Sequence, residues 1–157
     1  MMVRPKRILW PTDFSPLSLF GARYARGFTE LFEAELHVVH VIPPSLAPDF
    51  SMTLPTEVPL AYTSDELLAA GRSRLEELVA QQFSSLPHVV SDALCGGPWS
   101  TICSYAEHAA IDLIVVTTHG RTGLRHVLIG GTAERIVQHA PCPVLVVKNP
   151  EKDFVVG

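Results

Sequence analysis

Three short runs, Leu36–Ile42, Leu113–Thr117 and Val144–Lys148, are nearly continuous in valine, leucine and isoleucine. A strand wetted on one face alternates apolar and polar residues. A strand buried on both faces does not, and such strands are as a rule parallel. Two further β-like runs, Arg7–Pro11 and Val89–Leu94, complete a set of five. Helical patterns separate them, so the order reads β-α-β-α-β-α-β-α-β. That alternation predicts an α/β fold, a five-stranded parallel sheet with helices on both faces.

The helices carry their own signals. Ser15-Pro16 suits an N-cap followed by a first-turn proline, and Phe20, Tyr24, Phe28, Leu31 and Phe32 repeat at helical spacing. Thr63 and Glu66 match a capping box, after which Leu68, Leu75, Val79, Phe83 and Leu86 form an apolar stripe. Ile102, Tyr105, Ala106 and Ala109 mark a third helix. A fourth starts near Gly131, with Ala133, Ile136, Val137 and Ala140 on its apolar side. The rhythm breaks between Pro43 and Tyr62, which holds Pro43, Pro44, Pro48, Pro55 and Pro59 and no helical period. A loop this long is usually functional or mobile; a lid and a plain surface excursion both remain open.

The 157 residues suit one domain, residues 1–157, with a real core. A net charge of −4 without blocks of like charge argues against binding nucleic acid through a basic surface. The basic start, Met1 to Arg7, precedes only Ile8-Leu9-Trp10 before Pro11, too short an apolar run for a signal peptide. No apolar run approaches membrane-spanning length. Cys95, Cys103 and Cys142 form no C-x-x-C pair, which suits reduced thiols in a cytoplasm.

Doubly wound sheets bind ligands beyond the carboxyl ends of their strands, where the strand order reverses. In a 3-2-1-4-5 order that point lies between strands 1 and 4. Strand 1 runs into Pro11-Thr12-Asp13. Strand 4 runs into Thr117-Thr118-His119-Gly120-Arg121-Thr122-Gly123, followed by Gly130-Gly131-Thr132 at a helix start. A glycine-bearing loop that opens a helix presents N–H groups and a partial positive charge to phosphate.

These segments carry a resemblance. Ile8-Leu9-Trp10-Pro11-Thr12-Asp13-Phe14-Ser15, Leu36-His37-Val38-Val39-His40-Val41, Asp112-Leu113-Ile114-Val115-Val116, the glycine loop, and His139-Ala140-Pro141-Cys142-Pro143-Val144-Leu145-Val146-Val147 resemble the universal stress protein family over nearly the whole chain. The resemblance implies the 3-2-1-4-5 fold, a homodimer, and in many members ATP binding through G-x-x-G, nine residues, then G-[S/T]. Gly120 and Gly130 match the second and third glycines, being separated by Arg121 to Ile129. Thr117 stands at the first glycine, and Gly131 at the Ser/Thr position, with a hydroxyl one residue later at Thr132. A hydrogen bond to a charged group contributes roughly 1.5–3 kcal/mol, so its loss at Gly131 corresponds to about one to two powers of ten in affinity.

The resemblance assigns further roles. Asp13 would accept from ribose hydroxyls or the adenine amino group, its plainer alternative being a helix cap. Val41 would offer backbone to adenine, and Val116 would line base or ribose. Gly120, Gly123, Gly130, Gly131 and Thr132 would surround the phosphates. His119 and Arg121 read as phosphate-binding or loop-ordering groups rather than catalysts. Mg²⁺ or Mn²⁺ would come with ATP, held mainly by phosphates. His37, His40, His88, His108 and His139 show no metal-ligand spacing and read as surface or sheet-end residues; Trp10 and Trp99 read as packing residues.

The leading expectation is an ATP-binding stress-response or signalling module with little or no turnover. The alternative is a family member that acts without ATP as a dimeric interaction module. An ATP pyrophosphatase or nucleotidyltransferase of a related adenine-binding fold would show an S-G-G-x-D-S or H-I-G-H-type motif, and neither occurs here, nor does a Walker A loop. The apolar last strand, Val144–Lys148, would be an exposed edge unless paired, which predicts a homodimer through it. The small-molecule partner expected is an adenine nucleotide; a protein partner is implied but not specified.

Overall fold

Leu36–Ile42 and Leu113–Thr117 do become inner strands of a parallel sheet, whereas Val144–Lys148 forms one of its edges and is only partly buried. The computed structural model describes residues 3–44, 64–118 and 131–148. Its elements are β1 (Arg7–Pro11), α1 (Pro16–Phe32), β2 (Glu35–Ile42), α2 (Ser64–Gln82), β3 (Val89–Cys95), α3 (Pro98–His108), β4 (Leu113–Thr118), α4 (Gly131–His139) and β5 (Val144–Lys148). The sheet order is β3-β2-β1-β4-β5, with every pairing parallel.

Strand parity divides the apolar residues between two cores. Ile8 and Trp10 of β1, Leu36 and Val38 of β2 and Val115 of β4 face α1 and α2, where Ala22, Ala25, Leu75 and Leu78 meet them. Leu9, Val39, Ile114 and Val116 face α3 and α4, where Ile102, Ala106, Ala133 and Ile136 close the other layer. Full burial of each large side chain contributes about 1.5–3 kcal/mol. A one-residue slip of any inner strand would exchange the two sets, so the register is fixed by packing on both sides.

Local chemistry sets the helix ends. Ser15 Oγ accepts from the Ser18 N–H at 3.1 Å, and Pro16 occupies the first turn of α1. The same helix ends on Glu33 in the left-handed region, φ 52, rather than on a glycine. The Glu33 backbone N–H donates to the carbonyls of Glu30 and Thr29, and its side chain forms an exposed ion pair with Arg4. The capping box expected from Thr63 has its first residue outside the described residues, as does the Pro43–Tyr62 segment beyond Pro44.

Several apolar positions lie elsewhere than their spacing suggests. Leu31 and Val137 are exposed, at 70% and 44%, because helical periodicity alone makes the buried stripe too wide. Phe83 and Leu86 follow the end of α2, yet Phe83 is fully buried and meets Trp10 edge-on at 5.6 Å. His37 is not a surface residue: it is buried in β2. Its Nε2–H donates to Glu35 at 2.8 Å, and its Nδ1 accepts from the Tyr105 hydroxyl at 2.8 Å.

Candidate functional site

β1 runs out of sheet at Pro11, and the next three residues are locked by hydrogen bonds. The Thr12 N–H donates to the Val39 carbonyl at 2.8 Å, extending the ladder by one residue. Thr12 Oγ1 accepts from the Phe14 N–H at 3.0 Å and from Ser18 Oγ at 2.9 Å. The Thr12 carbonyl accepts from His40 Nδ1 at 2.8 Å. A carbonyl only accepts, so this nitrogen carries the proton. Phe14 sits at φ 61, a conformation that costs a bulky residue about 1–2 kcal/mol.

Asp13, between them, is exposed. One oxygen, Oδ1, accepts from the Ser15 N–H at 2.9 Å. The carboxylate shapes the entry to α1 while Ser15 supplies the cap, and it stands at the mouth of a cavity.

That cavity has a volume of about 440 Å³ and lies over the carboxyl ends of β1, β2 and β4, on the side of α3 and α4. Its apolar wall includes Val39, Val41, Val116, Ile102 and Ile136. Its polar groups include Thr12, Asp13, Thr118 and Thr132, and Gly131 opens α4 beside them. The place is the switch point between β1 and β4, where this topology leaves a crevice. Apolar surface on one side and hydroxyls with a helix N-terminus on the other suit a ligand with a flat apolar part and an anionic part.

Pro11, Thr12, Asp13, Val41, Val116, Thr117, Gly131 and Thr132 all border this one cavity. His119, Gly120, Arg121, Gly123 and Gly130 lie outside the described residues, so their part in it is not defined by the structure. Thr118, Val39, His40, Ile102 and Ile136 also line the cavity, although the sequence reading gave them no ligand role. Parity along β4 was the available signal: Val116 and Thr118 share a face.

The two departures from the glycine motif differ physically. Thr117 turns its methyl toward α1, where a Cβ on Gly21 would come within 2.6 Å of Thr117 Cγ2. The glycine in α1 leaves the space that the threonine fills. At Gly131 an added Cβ would meet no other described residue within 4 Å.

Outside the cavity, burial raises the thiol pKa of Cys103, and burial, Asp112 and Cys103 raise that of Cys142. Neither thiol is thereby activated as a nucleophile. All three cysteines are free. Among the described residues, no three or more His, Cys, Asp or Glu side chains group to hold a metal ion, and no helix is long and apolar enough to cross a membrane.

Known proteins share this arrangement. The model of the universal stress protein family matches residues 5–148. Universal stress protein MJ0531 of Methanocaldococcus jannaschii is 36% identical over 150 residues, which cover 94% of this chain and 85% of that protein. The solved structure of MJ0577 superposes with a TM-score of 0.73 at 26% identity, covering 96% of this chain and all of the other. A universal stress protein from Archaeoglobus fulgidus, solved in complex with dAMP, shares the fold with a TM-score of 0.60 at 18% identity, over 93% of this chain and 98% of its own. The sheet order, the family match along nearly its whole length and the identity to MJ0531 make this chain a member of the universal stress protein family.

Proposed function

We propose that the cavity at the switch point binds an adenine nucleotide, ATP in the first instance, and that the chain works as a stress-response or signalling module with little or no turnover. The observation that carries this reading is the meeting of Thr12-Asp13, Val116 and Gly131-Thr132 in one cavity of about 440 Å³. A volume of this order accommodates a small ligand. The adenine would lie on the valine wall near Val41 and Val116, with Asp13 accepting from ribose or base. The start of α4 would face the phosphates, joined by His119, Gly120, Arg121, Gly123 and Gly130 from the adjoining loop. Mg²⁺ or Mn²⁺ would arrive with the nucleotide, most of its ligands being phosphate oxygens and water. The dAMP complex of the Archaeoglobus protein supports an adenine nucleotide for this fold.

Titration calorimetry and thermal shift with ATP and Mg²⁺ test the reading. Saturable heat and a raised melting temperature are expected; no binding at millimolar ATP overturns it. Slow ADP release that disappears on changing His119, with binding retained, would favour an enzyme instead.

The second reading, a dimeric interaction module that works without ATP, is favoured by Gly131, which supplies no hydroxyl to a phosphate. Both readings include a homodimer through β5, a protein partner and a reducing cytoplasmic setting, the last being compatible with three free thiols.

A further inference from the structure

The end of β1 is gripped from outside the cavity as well as from within. Beyond its bond to the Thr12 carbonyl, the His40 ring lies 4.6 Å from the ring of Phe14, centroid to centroid. The Arg74 guanidinium of α2 stands 4.3 Å from the centroid of that same Phe14 ring, within cation–π range. One turn earlier, Gly71 lets α2 settle onto the sheet: a Cβ there would lie 3.1 Å from Ala93 Cβ and 3.5 Å from His40 Cδ2. Helix α2 thus touches the two side chains that support the rim, yet none of its residues is among the described cavity lining.

We infer that Arg74, acting through Phe14 and His40, holds the Thr12–Asp13 rim in its binding geometry, so that nucleotide affinity is set in part from the exposed surface of α2. The inference rests on the nucleotide reading of the cavity. Phe14 occupies a backbone basin that an aromatic residue leaves unless something retains it. A ring in contact with both a cation and an imidazole is retained. Release of the ring lets the Phe14 backbone relax, and the Asp13 carboxylate turns with it. His40 secures the peptide on the other side of Asp13. Arg74 and Phe14 are positioning residues.

The full chain tests this in four forms: wild type, R74A, H40L and H40N. Each is titrated calorimetrically with ATP and Mg²⁺, and amide exchange at Phe14 and Ser15 is followed by NMR without nucleotide. R74A, a surface change, is expected to weaken ATP about two- to fivefold and to speed both amides. H40L is expected to weaken ATP about tenfold. H40N is expected to recover most of that loss, because its side-chain N–H can reach the Thr12 carbonyl. ATP affinity unchanged in R74A overturns the inference, as does H40N binding no better than H40L. Wild-type protein that gives no heat with ATP removes the nucleotide reading alone. Unchanged Phe14 and Ser15 exchange in ligand-free R74A then overturns the coupling of α2 to the rim.

Discussion

Gly131 and Thr117 occupy positions where the nucleotide motif asks for a hydroxyl and a glycine, and their physical weights differ. Thr117 is absorbed by packing, since its methyl takes the space left by Gly21. Gly21→Ala should therefore cost about 1–3 kcal/mol in urea unfolding. Thr117→Ser, which deletes Cγ2, should recover much of that cost, with a coupling of about 1 kcal/mol in the double-mutant cycle. Additive effects would mean the two residues do not share this space. Gly131 is a lost donor, with no other described residue within 4 Å of where its Cβ would stand. Gly131→Ser should tighten ATP about tenfold by calorimetry and raise stability by a few tenths of a kcal/mol or more, since serine suits a helix better than glycine. Unchanged affinity would argue that the phosphates lie away from the start of α4.

At the scale of elements, β1, β2 and α3 are joined by a polar chain whose buried link is His37. Arg7 Nε lies 3.4 Å from Glu35, Glu35 accepts from His37, and His37 accepts from Tyr105. Burial first, then Asp92 and Glu35, raises the Tyr105 pKa above its ordinary 10.0. The neutral phenol is thus favoured by the fold, and the unfolded chain loses this proton first. Wild-type stability should fall as pH climbs through 10.0 toward the raised value. Tyr105→Phe should cost about 1 kcal/mol near neutrality and lack this alkaline loss, as denaturant melts across pH would record. Such a chain was not legible beforehand. Glu35 and His37 are neighbours, but Tyr105 lies 68 residues away and meets them only once α3 packs on the sheet. The strands and the Ser15 cap were legible because they rest on local pattern and local hydrogen bonds. Leu31 and Val137 were not, because an apolar residue at helical spacing does not say whether its edge of the stripe is covered.

For the whole molecule, the parallel sheet was legible from the apolar strands and its order from the family resemblance, and that order brings Pro11-Thr12-Asp13 to Val116, Gly131 and Thr132 across the switch point. Thr118 and His40 escaped because their relation to the cavity depends on strand parity and on where β1 stops pairing. The order also leaves β5 at the end of the sheet, hydrogen-bonded to β4 alone among the described strands. Such an edge invites a second copy. Val146→Glu should convert a dimer to a folded monomer, read by light scattering beside a thermal melt; a dimer that persists counts against pairing through β5. The placement of the tryptophans gives the molecule two separable optical probes. Trp10 is fully buried on the α1–α2 side of the sheet, shielded from dissolved quenchers and next in sequence to the cavity residue Pro11. Trp99 is only partly buried, with His139 and Arg135 beside its ring and the cavity residue Pro98 before it. Iodide that silences Trp99 leaves Trp10 to report on the core between β1 and helices α1 and α2 by its own emission, with no label added.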